Sequence, residues 1–287
     1  MMLFLPFFFL ALSLVFLWIP WLHNAWFVPF TFAVVFALIS NVLTLFGVGL
    51  LLLLLFFCYS SRHPEKFHLP KGFSDFCIVI FVALLFYHLL PGFQNWEVVS
   101  SYQMSPTCPP FSFALRFDKG APGLLLLAFM AFPLCKNRRD WRLAFHAGIK
   151  TSAIAFILLL LSALALGYVH WDMKAPSFWK VWVFYNLFFV AIPEEVFFRG
   201  FLQNKLTILF QRHRSGAIYA LVLSSIIFGL AHFSGGPTYV FLSFIAGLLY
   251  GIAYLWKGYL ESAIFTHFMV NALHFFLFSY PCLINME

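Results

Sequence analysis

The sequence predicts an all-α, polytopic membrane protein with about eight to ten transmembrane helices. Of its 287 residues, 63% are hydrophobic and 22% aromatic, and only 9% are charged. The mean hydropathy is +0.93. A soluble core of this length cannot bury so much apolar surface. In addition, apolar runs long enough to cross a hydrocarbon core of ~30 Å recur along the chain.

The predicted spans lie, in chain order, near residues 3–22, 26–58, 74–92, 121–135, 148–168, 181–198, 217–233, 238–256 and 259–279. The first run has no basic segment before it and no small-residue cleavage site, so we expect a span rather than a removed signal peptide. The second run is too long for one span and carries Asn41 near its middle, which predicts two helices or a re-entrant pair. The longest polar connection, from about Gln94 to Gly120, predicts a non-cytoplasmic loop.

Basic residues are scattered between the apolar runs, so the net charge of +7 indicates membrane topology rather than nucleic-acid binding. If the spans alternate, eleven basic residues fall on one side and four on the other. The eleven are Arg62, Lys66, Lys71, Lys136, Arg138, Arg139, Arg142, Lys205, Arg212, Arg214 and Lys257, and the four are Arg116, Lys119, Lys174 and Lys180. This bias predicts that the first set is cytoplasmic, in a protein of the plasma (inner) membrane.

The segment AIPEEVFFRGFLQNKL, residues 191–206, holds two adjacent glutamates at the end of an apolar run. An ionised carboxylate in hydrocarbon costs at least ~2.5 kcal/mol, so Glu194 and Glu195 need partners or a water-filled cavity. In a regular α-helix Glu195 lies one turn before Arg199, which predicts an ion pair. Glu194 is then rotated by ~100° and left free, with the raised pKa that suits a general base. The alternative is that both glutamates anchor a helix end near the lipid headgroups.

Two later apolar runs also carry polar side chains at helical spacing. Phe228 precedes His232 by four residues, and His267, Asn271 and His274 form a stripe at positions i, i+4 and i+7. Taken singly, His88, His232 and His274 are interpreted as interhelical hydrogen-bonding residues. The pair Gly247 and Gly251 predicts a close approach between helices.

Three motifs together resemble those of the CPBP intramembrane proteases. They are EExxxR at Glu194, Glu195 and Arg199, FxxxH at Phe228 and His232, and HxxxN at His267 and Asn271. That family contains type II CAAX prenyl endopeptidases, bacteriocin-processing enzymes and abortive-infection proteins. The resemblance implies a protease core at residues 176–280, preceded by transmembrane helices of unassigned role at residues 1–175.

The resemblance also implies a metal-free glutamic endopeptidase. Glu194 with His232 would activate a water molecule, and His267 with Asn271 would donate hydrogen bonds to the oxyanion. Glu195, Arg199 and Phe228 would support them. An imidazole and an amide on one helical face can aim donors at a single oxygen, which agrees with that role. We expect a hydrated cavity, with His232 below the membrane surface and the helix of Glu194 continuing through Gln203.

Other functions stay open at this point. Glu194, His232 and His267 could instead bind zinc with an open water position, although no HExxH motif is present. The same cluster could belong to a transporter or to an immunity-type binding protein. Five cysteines, Cys58, Cys77, Cys108, Cys135 and Cys282, form no CxxC pair and are interpreted as packing residues. The expected partners are the lipid bilayer and a membrane-associated protein or peptide substrate. The sequence specifies neither the identity of this substrate nor the oligomeric state.

Overall fold

The computed structural model describes residues 2–106, 108–130 and 132–281, so Cys282 lies outside the described residues. Within these ranges the chain forms ten helices of thirteen residues or more and one two-stranded sheet. The helices are α1 (Leu5–Trp18), α2 (Phe27–Ile39), α3 (Leu45–Arg62), α4 (Phe73–Phe86), α5 (Phe117–Phe129), α6 (Arg138–Ala165), α7 (Trp179–Leu209), α8 (Gly216–Leu230), α9 (Gly236–Lys257) and α10 (Leu260–Leu277). The strands are β1 (Trp96–Tyr102) and β2 (Phe111–Leu115).

The helices confirm the predicted class of an all-α polytopic membrane protein. Among the described residues, five helices are long and apolar enough to cross a membrane, namely α3, α6, α7, α9 and α10. Helices α1, α2, α4 and α8 are apolar but shorter. The run predicted near residues 121–135 corresponds to α5, which has 13 residues and carries Asp118 and Lys119 in its first turn. The total of eight to ten spans stays a prediction.

The long apolar run at residues 26–58 forms two helices, as predicted. Helix α2 ends at Ile39 and α3 begins at Leu45. Asn41 lies between them with φ of 57°, in the left-handed region that asparagine tolerates better than most residues. Thr44 caps α3, because its hydroxyl accepts a hydrogen bond from the Gly47 amide at 3.2 Å.

The prediction of a loop from about Gln94 to Gly120 was wrong in part. This stretch contains the hairpin of β1 and β2 and the first turn of α5. In β2, FSFAL, buried residues alternate with more exposed ones, and Phe111 and Phe113 are buried in a cluster with Trp182 and Phe275. Lys119 is therefore a residue of helix α5 and not a loop charge.

Helix α7 departs from regular α-helical geometry around the two glutamates. Asn186–Ala191 and Val196–Gln203 are π-helical, and the α-helical turn Ile192–Glu195 separates them. Pro193 explains part of this pattern, since proline has no amide hydrogen and its ring clashes with the carbonyl four residues earlier. Single π-helical turns often occur at functional sites. The helix continues to Leu209, which confirms the expected extension through Gln203.

The chain divides into two compact units that alternate along the sequence. The first comprises Met1–Glu97, Ala114–Phe132 and Phe188–Phe197. In it, α1 packs on α2 and α5, α3 packs on α4 and α5, and α5 also contacts Ile192–Glu195. The second comprises Val98–Phe113, Pro133–Leu187 and Phe198–Glu287. In it, α6 packs on α9 and α10, and α8 packs on α9. The predicted domain boundary at residue 175 stays a prediction.

Candidate functional site

Glu194 and Glu195 belong to the first unit, where both are buried. Glu195 has no exposed surface and Glu194 is 6% exposed. They end the short α-helical turn Ile192–Glu195, whose Pro193 packs against Gly123 of α5. A Cβ atom added at Gly123 would lie 2.8 Å from the Pro193 backbone, so the missing side chain permits this close approach.

The expectation that Glu194 is left free was wrong. The Nζ atom of Lys119 donates a hydrogen bond to its Oε1 atom at 2.6 Å, and both side chains are largely buried. The sequence offered one signal for this pair, because a lysine beside an apolar run must also find a partner in a membrane protein. Because 75 residues separate Lys119 from Glu194, helical periodicity could not identify this pair.

The predicted ion pair between Glu195 and Arg199 assumed a regular α-helix. Residues 196–203 are π-helical, so a spacing of four residues no longer corresponds to one turn. That pairing stays a prediction. In the second unit, the Nη2 atom of Arg199 donates to the Gly247 carbonyl at 2.9 Å. The guanidinium carbon of Arg199 also lies 4.5 Å from the centre of the Phe228 ring, a cation–π contact in a buried site.

Phe228 is the centre of the candidate site in the second unit. Its ring centre lies 4.7 Å from that of His232 and 6.0 Å from that of His267. Phe198 and Tyr250 meet the same ring at 4.9 and 5.9 Å. Phe228, a residue of the second motif, therefore contacts Arg199, His232 and His267.

His232 follows the end of α8 and is partly exposed. Its Nδ1 atom lies 2.8 Å from the carbonyl oxygen of Phe228. A carbonyl oxygen only accepts hydrogen bonds, so Nδ1 carries the proton in the neutral ring and Nε2 is the basic nitrogen. This arrangement suits a group that receives a proton through Nε2.

His267 lies on α10 and is 3% exposed. The Tyr250 ring stacks on its imidazole with 4.6 Å between centres and 15° between planes. The neighbouring residue Thr266 fixes α10 against α6, because its hydroxyl lies 2.7 Å from that of Thr151. Sequence reasoning did not identify Tyr250, since nothing in GLLYGI distinguishes this tyrosine from a packing residue.

Asn271 lies on α10, one turn beyond His267. Its Nδ2 atom is 3.5 Å from the Oδ1 atom of Asn186, a buried residue of the first π-helical stretch of α7. This contact is at the long end of hydrogen bonding, so the amide of Asn271 is oriented but weakly held. Asn186 is a second residue that the motif spacing did not point to.

Close contacts between helices confirm the prediction for Gly247 and Gly251. A Cβ atom added at Gly247 would lie 3.2 Å from the Ser225 backbone, and one at Gly251 would lie 2.3 Å from the Leu221 side chain. These glycines let α9 approach α8 closely, which brings Tyr250 to Phe228.

The interpretation of His88 and His274 as interhelical hydrogen-bonding residues fits His88, whereas His274 bonds to a residue just beyond the end of its own helix. His88 bonds through Nδ1 to the buried carboxylate of Asp118 in the first unit. His274 lies with Nε2 3.2 Å from the carbonyl oxygen of Ser279 in the second. The described cysteines, Cys58, Cys77, Cys108 and Cys135, are free thiols. In the described part of the chain, no three His, Cys, Asp or Glu side chains form a group that could hold a metal ion.

Comparison with known proteins identifies one family. Residues 176–273 match the model of a family described as type II CAAX prenyl endopeptidase Rce1-like. The match covers 98 of the 287 residues and includes every motif residue from Glu194 to Asn271. Neither a curated protein nor a solved structure matches the chain.

Proposed function

Since residues 176–273 match the model of the type II CAAX prenyl endopeptidase Rce1-like family, we propose that this integral membrane protein is a glutamic endopeptidase. It hydrolyses a peptide bond of a membrane-associated protein, at a site formed by the residues of its three motifs. The family supports a membrane hydrolase, and the roles of single residues are part of the proposal.

One observation carries the proposal. His232 is held through Nδ1 by the Phe228 carbonyl at 2.8 Å, which leaves Nε2 as its basic nitrogen. The fixed tautomer orients that nitrogen near a second histidine, His267, which is buried. Phe228, which contacts both rings, is itself a motif residue.

The proposed reaction follows from the chemistry of each group. Glu194, assisted by Nε2 of His232, takes a proton from a water molecule, and the water oxygen attacks the carbonyl carbon of the peptide. The N–H groups of His267 and Asn271 donate to the oxyanion of the tetrahedral intermediate. The C–N bond then breaks, and the proton taken from water passes to the amine leaving group.

The substrate is a peptide segment held at the bilayer, which fits a family of prenyl endopeptidases. Prenylated carboxy-terminal peptides are the first class to test. The proposed orientation places the basic loops in the cytoplasm, in the plasma membrane. No cofactor is part of the proposal, and zinc dependence is the alternative that the experiments must separate.

The test is cleavage of a peptide panel by protein purified in detergent. The panel contains a prenylated carboxy-terminal peptide, the same peptide without its lipid, and a single-span peptide, with products identified by mass spectrometry. We expect the wild type to cleave a lipid-attached or membrane-spanning peptide and Glu194→Gln to cleave none. Glu261→Gln, which changes another buried glutamate, is the matched control and should retain cleavage. Equal cleavage by the wild type and Glu194→Gln would overturn the proposed mechanism.

A further inference from the structure

The first unit contributes a charged residue to Glu194 from outside the family-matched segment. Lys119 lies on α5, before residue 176, where the family match begins. Its Nζ atom is 2.6 Å from the Oε1 atom of Glu194. The two side chains are 16% and 8% exposed, so water screens this pair only weakly.

Two glycines of α5 let Lys119 reach this position. A Cβ atom added at Gly120 would lie 2.8 Å from the Phe189 ring, and one at Gly123 would lie 2.8 Å from Pro193. Phe189 and Pro193 precede Glu194 on α7. Helix α5 therefore runs directly along the part of α7 that carries the glutamate, with Lys119 facing it.

Aromatic and ionisable side chains of the first unit surround the Lys119 ammonium group. The centre of the Phe86 ring lies 5.8 Å from Nζ. Asp118, the preceding residue, is bonded to His88. Tyr87, at the end of α4, interacts electrostatically with both Glu194 and Lys119. Among these groups, the Lys119 ammonium is hydrogen-bonded to the Glu194 carboxylate.

We propose that Lys119 is a positioning residue of the endopeptidase site, which keeps Glu194 ionised and fixes the direction of its carboxylate. This inference rests on the proposed function. It gives the amino-terminal helices, for which the motifs supply no role, a part in the chemistry. The interaction through Oε1 is compatible with a general base, because a carboxylate can accept several hydrogen bonds.

The physical basis is the cost of a buried charge. A carboxylate that loses its cation in a weakly hydrated site binds a proton more readily. A protonated Glu194 cannot take a proton from water, so activity without Lys119 should require a higher pH. Tyr87 at the end of α4 also interacts with both groups, and Glu195 follows Glu194 in the chain, but neither of these side chains can carry a positive charge.

The experiment is a pH–rate profile of peptide cleavage for the wild type, Lys119→Met and Lys119→Arg. We expect the acid limb of Lys119→Met to move up by about one pH unit, with a rate on that limb about tenfold below that of the wild type. Lys119→Arg should restore the wild-type profile, because it restores the cation. Lys119→Gln replaces Lys119→Met if the latter does not fold, since it is neutral and still donates a hydrogen bond.

Lys174→Met is the matched control. Lys174 is another largely buried lysine, and it pairs with Asp172 at 3.0 Å in the second unit. Its loss should leave the acid limb unchanged. An unchanged acid limb in Lys119→Met, with wild-type cleavage abolished by Glu194→Gln, would overturn this inference and leave the proposed function intact. Cleavage that is unaffected by Glu194→Gln would overturn the proposed function itself.

Discussion

The Tyr250 ring lies flat against the imidazole of His267, with 4.6 Å between ring centres and 15° between their planes. His267 is 3% exposed, so its orientation depends on such contacts rather than on water. If His267 donates to an oxyanion, Tyr250 determines the direction of that donor. Tyr250 is then a positioning residue, although no motif contains it.

Replacement of Tyr250 tests this relationship. We expect Tyr250→Leu to lower kcat by about tenfold to a hundredfold with a smaller change in KM, because small displacements of a catalytic group are costly. Tyr250→Phe keeps the stacked ring and should retain most of the activity. Steady-state cleavage kinetics of both variants provide the measurement. Equal rates for Tyr250→Leu and the wild type would show that the stack has no role in catalysis.

Asn271 provides a second prediction. Asn271→Ala removes a proposed oxyanion donor, so we expect kcat to fall by about 10²–10³. KM should change little, because the lost interaction forms mainly in the transition state. The matched control is Asn204→Ala, since Asn204 bonds to Tyr254 at 2.8 Å and has no proposed catalytic role. A similar loss of kcat in both variants would indicate general disruption instead of a lost donor.

The third prediction concerns pH and the connection between α6 and α7. Asp172 accepts hydrogen bonds from Ser105 and, at 3.0 Å, from Lys174. Burial raises the pKa of Asp172, but these hydrogen bonds and the nearby positive charge outweigh it, so the net pKa lies below the ordinary value. The stability that ionised Asp172 contributes to the folded state is therefore present above its unfolded-state pKa of about 4. This contribution is lost as the pH falls through the lower pKa of the folded state.

Thermal unfolding in detergent at pH 7, 5 and 3 can measure this effect. The wild type should lose more stability toward pH 3 than Asp172→Asn, which has no carboxylate to protonate. Glu97→Gln, a change at an exposed carboxylate of β1, should retain the wild-type pH dependence. If Asp172→Asn and the wild type lose stability in parallel, the explanation based on Asp172 is wrong.

The sequence predicted the fold class because the spans are encoded locally. Apolar length alone located most helices, and Asn41 in the run at residues 26–58 indicated the break between α2 and α3. The hairpin was missed although FSFAL has the alternation of a strand, because a polar, proline-containing stretch between spans suggested a loop. Motif spacing led to His232, His267 and Phe228, which the second unit brings together.

The other features depend on contacts distant in sequence or on irregular geometry. Lys119 is 75 residues from Glu194, so no helical period relates them. The π-helical stretches of α7 change which residues share a face, and a rule for regular α-helices cannot anticipate that change. Tyr250 on α9 reaches His267 on α10 through the packing of these two helices, which motif spacing does not describe.

The measurement that tests the central claim most directly is the rate of peptide cleavage by the wild type and by Glu194→Gln, each before and after treatment with a strong chelator. We predict that wild-type cleavage survives chelation and that Glu194→Gln is inactive in both conditions. Loss of wild-type cleavage on chelation, with recovery when zinc is added, would contradict the account and identify a metalloprotease.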